Sequence, residues 1–306
     1  MPAAVGTPPS TGAAQALVSV VVLTLNEEQN LPACLDSLAG LRSAVFVVDS
    51  GSTDATVDIA RRAGATVVSH PFVNYADQRN WALRTLPIET EWVLNLDADE
   101  RLTPELVADI NRAVADPVEG VDGYLLRKRT IFMGRWIRHG GHYPSYHLRL
   151  FRRGRGLCEA RKYDQHFVVD GRVETLRHDY EDVVSSSLMT WTLRHARWAG
   201  MERQELAEGG LVRGQVVPAV AGNPIQRKRW WRNAYGRGPL FARAFAYWCY
   251  RYVLRLGFLD GTEGLIFHFL QGFWFRFLVD LSFHYSKPRG EVAHEEILEL
   301  KQVKGE

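Results

Sequence analysis

Cysteine is scarce in this sequence, and its three residues, Cys34, Cys158 and Cys249, lie far apart. This spacing excludes a cysteine-based metal site, and the odd count argues against a framework of disulfides. We therefore expect reduced, mostly buried thiols and a cytosolic compartment.

A large excess of charge is also missing. The formal net charge is +2 over 306 residues, which gives no global case for nucleic acid as a partner. The length predicts one large domain or a domain with an appendage. Residues 1–17 are rich in Ala, Pro, Gly and Thr and have neither the basic nor the apolar segment of a signal peptide. We predict that they form a disordered leader.

Both standard phosphate-binding loops are absent. No Gly-x-Gly-x-x-Gly follows the first predicted strand, and no Gly-Lys-Ser/Thr motif occurs anywhere. A nucleotide bound by this chain would need carboxylates and amides for its base and a metal ion for its diphosphate.

Apolar strand-like runs alternate with helical segments in the first third of the chain. Strands are predicted over 18–24, 44–48, 66–68 and 92–97, and helices over 31–40, 54–63, 75–86 and 104–114. This alternation predicts an α/β fold, a Rossmann-like, mainly parallel sheet flanked by helices.

The fourth predicted strand ends in the sequence Asp-Ala-Asp-Glu, with acids at Asp97 and Asp99. By itself this motif indicates no more than a solvated turn. At the carboxyl end of a buried strand, however, it lies where open α/β sheets bind ligands. Two Asp residues one apart in an extended segment point to opposite faces, so one can hold a hard cation while the other contacts a sugar or a metal-bound water.

Three segments, in this order and at these separations, carry a family resemblance. They are Val-Val-Val-Leu-Thr-Leu-Asn-Glu-Glu from Val20, Val-Val-Asp-Ser-Gly-Ser-Thr-Asp-Ala-Thr from Val47, and Leu-Asp-Ala-Asp-Glu from Leu96. Together they resemble the family 2 glycosyltransferases, which have the GT-A fold. The Gln78-Arg79-Asn80 segment, the Leu-Arg-Leu-Phe-Arg segment at 148–152 and the aromatic tail look most like the bacterial branch that includes the lipopolysaccharide core β-1,4-glucosyltransferases.

The resemblance implies that residues 18–115 bind a nucleotide-sugar donor. It implies that Asn26, Glu27 and Asp49 contact the base and ribose of the nucleotide, although Asp49 could instead be a turn-forming acid. Arg79 and Asn80 lie where the family contacts the diphosphate or positions the metal-binding loop, and a solvated helical Arg is the alternative. For Asp54 we prefer a plain helix cap.

The resemblance also assigns the two acids of the fourth strand. Asp99 is expected to bond the metal ion directly, and Asp97 to contact the sugar or a water on the ion. Oxygen ligands together with phosphate suit Mg²⁺ or Mn²⁺ rather than zinc.

Residues 116–210 are expected to form the acceptor side, where Trp136 could stack on a sugar. An acceptor hydroxyl must lose a proton, and a carboxylate is the natural base. We favour Asp164, which precedes an apolar strand-like run, with Glu159 as the second choice and His166 as a structural partner. The other acids considered are Asp170 and Glu174. The sequence departs here from the family's commoner His-Glu order.

Residues 211–306 are predicted to be a helical, aromatic-rich extension. The segment 226–232 combines four cations with two Trp, and the apolar segment 265–285 is interrupted by charged side chains, which excludes a membrane-spanning helix. Such a composition fits an interfacial helix on an anionic membrane, and a buried helical layer is the alternative. The clustering of the basic residues with Trp favours the membrane.

The sequence thus predicts an inverting, metal-dependent glycosyltransferase. It would transfer a sugar from a nucleotide-sugar, UDP-linked in our interpretation, to a saccharide or lipid-linked saccharide in cell-envelope or exopolysaccharide synthesis. It would work in the cytoplasm, on the inner face of the plasma membrane. The alternatives are a polyprenyl-phosphate glycosyltransferase, which needs no strong base, and a non-catalytic membrane-associated scaffold.

Overall fold

The computed structural model describes residues 16–161, 164–208 and 215–285. Residues 1–15 of the predicted leader and residues 286–306 of the predicted extension lie outside this range. The strands of the described residues are β1 (Val18–Thr24), β2 (Ser43–Asp49), β3 (Thr66–Ser69), β4 (Trp92–Asp97), β5 (Glu100–Leu102), β6 (Val121–Phe132), β7 (Arg135–Trp136), β8 (Ser145–Arg152), β9 (Gly156–Cys158), β10 (Phe167–Val169) and β11 (Arg172–Val184).

The α-helices of the same residues begin after β1 and dominate the end of the chain. They are α1 (Leu31–Asp36), α2 (Thr56–Arg62), α3 (Tyr75–Thr85), α4 (Pro104–Ala115), α5 (Leu188–Glu208), α6 (Pro224–Gly236), α7 (Ala242–Cys249), α8 (Gly261–Phe267) and α9 (Phe275–Tyr285). Two π-helical segments (Tyr250–Leu254 and His268–Trp274) and a 3₁₀ turn (Gly257–Asp260) connect α7, α8 and α9.

One large sheet organises the described residues, with the strand order β3-β2-β1-β4-β8-β6-β11-β5 and β7 paired to β6. The first four strands pair in parallel, as the alternation of strands and helices predicts. The strand β8 runs antiparallel to both β4 and β6, and β11 returns parallel to β6. The predicted mainly parallel α/β architecture is confirmed, with antiparallel pairing at β5, β7 and β8.

Strand side chains alternate between two apolar layers. On β1, Val20 and Val22 belong to the core on one face of the sheet, together with Leu106 of α4, whereas Val21 belongs to the core on the other face, together with Ala82 of α3. A strand covered on both faces is apolar at most positions, which explains the apolar runs of the sequence. Ser19 of β1 and Asn95 of β4 are buried polar exceptions, and the charged residues of these strands begin where the strands end.

The sequence did not predict the long strand β11. Its sequence, Arg-Val-Glu-Thr-Leu-Arg-His-Asp-Tyr-Glu-Asp-Val-Val, carries charged side chains throughout, and its pairing with β6 is interrupted by register shifts. The strand matters because it pairs with β5 and places Asp182 opposite Glu100. An acid of the second half of the domain is thereby brought to the end of β4.

The structure corrects the prediction that segment 226–232 contacts a membrane. The sequence assigned its cations to a membrane surface, but three of them contact carboxylates of the acceptor side: Lys228 and Arg232 bond Asp164, and the buried Arg229 bonds Glu159. These cations hold α6 against the domain. Phe275 and Val279 of α9 are likewise buried, against Ala199 of α5, so this part of the extension is the predicted alternative, a packed helical layer.

In the described part of the chain, no helix has both the length and the apolar character needed to cross a membrane.

A buried ion pair joins α7 and α9 of the extension. Arg243 donates from Nε to Oδ1 of Asp280 at 2.8 Å, and the other carboxylate oxygen accepts the backbone N–H of Phe241 at 2.7 Å. Both charged side chains are almost fully buried. Phe241 has a positive φ of 65°, and this contact helps to hold it there.

We expect Asp280→Ala to lower the free energy of unfolding by about 3–5 kcal/mol, because it leaves the buried charge of Arg243 without its partner. Urea denaturation measures the loss, with the exposed Asp58→Ala as the control. The double variant Arg243→Met/Asp280→Leu should recover most of the stability. A loss below about 1 kcal/mol in Asp280→Ala would contradict the assignment.

Candidate active site

The carboxyl ends of β1, β2 and β4 meet at one edge of the sheet. In the parallel register Thr24 lies beside Asp49, and Leu23 lies beside Asp97. The three motifs that carried the family resemblance therefore come together in space. This edge is where ligands bind in open α/β sheets.

The loops after β1 and β2 bond to each other. The side-chain oxygen of Asn26 accepts the Thr53 N–H at 2.8 Å, and the N–H of Glu27 donates to Oγ1 of Thr56 at 2.7 Å. Asn26 has a positive φ of 56°, a conformation that Asn tolerates better than most residues. Asn26 remains exposed, and the half-buried carboxylate of Glu27 accepts from Asn30 at 2.7 Å. Both predicted donor contacts lie at the edge of the sheet.

Asp49 is buried and its carboxylate is bonded by its own loop. It accepts the N–H groups of Gly51 and Ser52 at 2.9 and 2.8 Å and the Thr24 hydroxyl at 3.0 Å. This is the turn-forming role that the sequence analysis ranked second. Asp54 likewise accepts the Thr56 N–H at 3.0 Å, as expected of an acid at the start of α2.

Two arginines hold Asp97. Arg79 of α3 donates to Oδ1 at 2.7 Å and Arg149 of β8 to Oδ2 at 2.9 Å. Burial alone would raise the pKa of Asp97, but the two guanidinium groups together hold it well below its usual range. Asp97 is therefore a permanent carboxylate. Of the two roles considered for Arg79, this contact supports the positioning of the metal-binding loop.

Asp99 has the opposite electrostatic environment. Burial raises the pKa of its carboxyl well above the usual range, and neighbouring carboxylates, Asp182 foremost, add to the effect. Burial also raises the pKa of Glu100 to about 7 against the opposing charge of Arg149. Among the described residues, none donates a hydrogen bond or forms an ion pair with the side chain of Asp99. Negative charge is thus concentrated around an acid that lacks a cationic partner.

The acids at the end of β4 fit a hard divalent cation. They offer carboxylate oxygens, and the partly exposed Asp99 is the acid whose charge is not compensated by a cation. Within the described ranges, no three His, Cys, Asp or Glu side chains form a complete metal site. Mg²⁺ is commonly held by one or two carboxylates with the remaining positions filled by water and substrate phosphate. Asp99 would hold the ion in that way.

Asp164 lies in a cluster of cations. Its carboxylate is 2.7 Å from Arg232 and 3.4 Å from Lys228, both on α6. Burial would raise the pKa of Asp164, but Lys228, His166 and Arg232 hold it well below its usual range. Asp164 is ionised and able to accept a proton, although its low pKa makes it a weaker base than an ordinary carboxylate.

The second choice for the base, Glu159, is corrected by the structure. It is buried, and its carboxylate accepts the backbone N–H groups of His166 and Val216 at 2.9 and 3.2 Å and an N–H of Arg229 at 2.7 Å. A carboxylate bonded in this way holds the fold and is not open to an acceptor. The prediction that His166 is a structural residue agrees with its burial.

The contacts of Asn80 and Trp136 differ from those that their predicted roles require. Both groups of the Asn80 amide bond the backbone of Cys158, at 2.9 and 2.8 Å, so Asn80 positions β9 and the predicted direct contact with the donor is not supported. The guanidinium carbons of Arg129 and Arg138 lie 4.7 and 5.4 Å from the ring centroid of Trp136. These cations compete with a sugar for the indole ring.

Strand pairing brings acids and cations to the candidate site that the sequence analysis did not identify. Arg149 lay within a quoted motif but received no role, and Asp182, which bonds Lys128 at 2.6 Å, was not considered. The basic residues of β6 (Arg127, Lys128 and Arg129) and of β8 (Arg149 and Arg152) were the available signal. It could not reveal which acids these residues would meet.

We expect Asp99→Asn to stabilise the metal-free protein at pH 7. In the unfolded chain Asp99 ionises near pH 4, whereas in the fold its raised pKa makes the charge unfavourable. The gain should disappear as the pH falls below about 4, where the carboxyl is neutral in both states. Thermal unfolding across this pH range, with the exposed Asp36→Asn as the control, measures it. A lower Tm for Asp99→Asn at pH 7 would refute the electrostatic account.

Comparison with known proteins agrees with this geometry. An uncharacterized glycosyltransferase of Rickettsia conorii is 41% identical over 93 residues, 30% of this chain and 32% of the relative. One from Mycobacterium bovis is 35% identical over 136 residues, 43% and 59% of the two chains. The alignments thus span about a third of the length of the Rickettsia relative and under two thirds of the mycobacterial one.

A solved structure and a family model extend the comparison. The mannosyltransferase PcManGT of Pyrobaculum calidifontis, solved with GDP-Man and Mn²⁺, is 18% identical with a TM-score of 0.50, covering 90% of this chain and 88% of that one. Residues 19–172, about half of the chain, match the family described as Glycosyl transferase family 2. The chain therefore belongs to glycosyl transferase family 2 and has the GT-A fold.

Proposed function

We propose that this protein is an inverting, metal-dependent glycosyltransferase that uses a UDP-linked sugar as its donor. The observation that carries the proposal is the group of acids at the end of β4. Asp97 is held ionised by two arginines, while Asp99 has a raised pKa and no cation beside it. Binding of a divalent ion with the donor diphosphate would relieve that repulsion.

The residues divide the work as follows. Asp99 would hold Mg²⁺ or Mn²⁺, and the bound ion would neutralise charge on the departing diphosphate. Asp97, kept ionised, accepts a hydrogen bond from a sugar hydroxyl. Asn26 and Glu27 contact the base and ribose from the loop after β1, where a carboxylate can accept an imide N–H.

In the transfer step, the acceptor oxygen bonds to the anomeric carbon while the bond from that carbon to the diphosphate breaks. The proton of the acceptor hydroxyl passes to Asp164. We propose a saccharide or lipid-linked saccharide as the acceptor, in cell-envelope or exopolysaccharide synthesis at the inner face of the plasma membrane. Trp136 is proposed to lie on the acceptor side.

One observation favours a second candidate, a polyprenyl-phosphate glycosyltransferase. Lys228 and Arg232 bond the carboxylate of Asp164, and Arg229 lies 3.4 Å from its carbonyl oxygen. Burial and the charges of Arg229 and Arg232 lower the pKa of Arg161, which pairs with Glu205. Such a concentration of positive charge suits an acceptor phosphate, which is already ionised and needs no strong base.

A thermal-shift assay tests donor and metal together. We expect UDP with Mn²⁺ to raise the Tm of the protein, since a ligand at 100 times its Kd stabilises by about 2.7 kcal/mol. UDP without Mn²⁺ should have a much smaller effect, and GDP with Mn²⁺ serves as the competing base. The Asp99→Ala variant should lose both the Mn²⁺-dependent shift and sugar transfer, whereas Asp36→Ala should keep them. Full activity in Asp99→Ala would rule out the metal assignment.

Asp164→Asn separates the two acceptors. Asn tolerates the positive φ of 54° at this position, so the backbone should be preserved. If Asp164 is the base, kcat should fall by about 10²–10⁴-fold while the UDP–Mn²⁺ thermal shift stays unchanged. If turnover is retained within about tenfold, the saccharide hydroxyl is the wrong acceptor and the phosphate acceptor is favoured.

A further inference from the structure

The helical extension presents a continuous row of aromatic rings. Each ring contacts the next, with centroid separations of 5.5–6.4 Å, in the order Phe269, Phe273, Phe245, Trp248, Tyr252 and Phe258. Phe245, Phe258 and Phe269 are exposed to solvent. We call these six rings the aromatic row. A buried core would not leave half of such a row in water.

An apolar tip continues the row at one end. Residues 253–259 contain Val253, Leu254, Leu256, Phe258 and Leu259, all exposed, and Leu254 is 73% exposed. The tip consists of the end of the π-helical segment and the 3₁₀ turn that follows it. Scattered apolar residues are ordinary on a protein surface, but a contiguous apolar tip beside exposed aromatic rings indicates a binding surface.

The exposed charge of this region is positive. Between residues 240 and 275, all of which the structure describes, Arg255 is the one exposed charged side chain. The two acids of this stretch are paired with basic side chains. Asp260 is buried against His139, and Glu263 lies 3.6 Å from Arg135. Within residues 240–275 the exposed surface therefore combines apolar and aromatic groups with the positive charge of Arg255, and both acids of the stretch are paired.

The tip is fixed to the acceptor side of the domain. The N–H of Gly140 donates to the carbonyl of Arg255 at 2.8 Å, and Arg251 donates to the carbonyl of Gly140 at 3.0 Å. The His139 ring bonds Asp260 at 2.6 Å. Gly140 has a positive φ of 69° and packs against the His268 ring so closely that no Cβ would fit. These contacts hold the loop that follows Trp136 against the tip.

We propose that the aromatic row and the tip form a membrane-docking surface for an anionic lipid bilayer. Aromatic side chains are enriched at the level of lipid headgroups, aliphatic side chains enter the acyl boundary, and arginine attracts anionic lipid. Docking here holds the acceptor-side loop at the membrane surface, where a lipid-linked acceptor would be reached. This last step rests on the proposed function. The surface replaces segment 226–232 as the membrane contact.

Flotation of the full chain with lipid vesicles tests the docking surface. The protein should float with vesicles of phosphatidylethanolamine and phosphatidylglycerol, and much less with phosphatidylcholine alone. Leu254→Ser and Phe258→Ser should each weaken the binding about tenfold, because each removes one large apolar side chain from the bilayer. Arg255→Gln should reduce the preference for anionic vesicles about fivefold.

A matched control variant tests whether replacing any exposed apolar residue weakens vesicle binding. Val118 lies in the turn before β6 and is 47% exposed, close to the 46% of Phe258, and Val118→Ser should bind vesicles like the parent protein. All of these positions are exposed, so the Tm should stay within a few degrees of the parent. Equal binding by the tip variants and the parent, or no flotation of the parent, would overturn the proposal.

The alternative occupant is a second copy of this chain. A dimer in light scattering that dissociates in Leu254→Ser would show that the tip is a self-association surface and would overturn the proposal. The UDP–Mn²⁺ thermal shift, measured on the same samples, separates the two claims. Flotation without a nucleotide shift leaves docking supported and the proposed function refuted, whereas a shift without flotation does the reverse.

Discussion

The buried guanidinium of Arg149 holds the candidate site together. The strand β8 runs antiparallel to β4 and brings Arg149 to the end of β4, where it bonds both Asp97 and Glu100. Without this cation, several buried carboxylates would lie close together and would protonate or separate. With it, Asp97 stays ionised, and Asp99 is left without a cationic partner among the described residues. We propose the metal site at Asp99 because the protein neutralises Asp97 and Glu100 but not Asp99.

A similar use of charge organises the acceptor side. Three cations of α6 form ion pairs with Asp164 and Glu159, and these contacts hold the helix against the domain. The aromatic row and the apolar tip lie within residues 245–273, and the contacts of Gly140 connect the tip to the loop after Trp136. In the proposed function, donor binding at the edge of the sheet and acceptor binding beside it are separate from the proposed docking surface of the helical extension.

Much of the donor half could be predicted from the sequence because its signals are local. An apolar run that ends in Asp97 specifies both a buried strand and acids at its carboxyl end. The contacts of Asn80 and Asp164 could not be predicted, since their partners lie 64–78 residues away in sequence. The strand containing Asp182 was missed for a related reason. Its charged side chains hide the alternation of a strand, and only pairing with β5 and β6 explains why it forms.

The central claim is that Asp99 binds the metal ion that accompanies the donor diphosphate. Anomalous diffraction from crystals grown with UDP and Mn²⁺ tests it most directly, because the ion is located without reference to activity. The account predicts one Mn²⁺ peak about 2.0–2.3 Å from a carboxylate oxygen of Asp99, with diphosphate oxygens in its coordination shell and Asp97 still bonded to Arg79 and Arg149. A bound UDP whose Mn²⁺ ion lies away from Asp99, or that carries no ion at all, would contradict it.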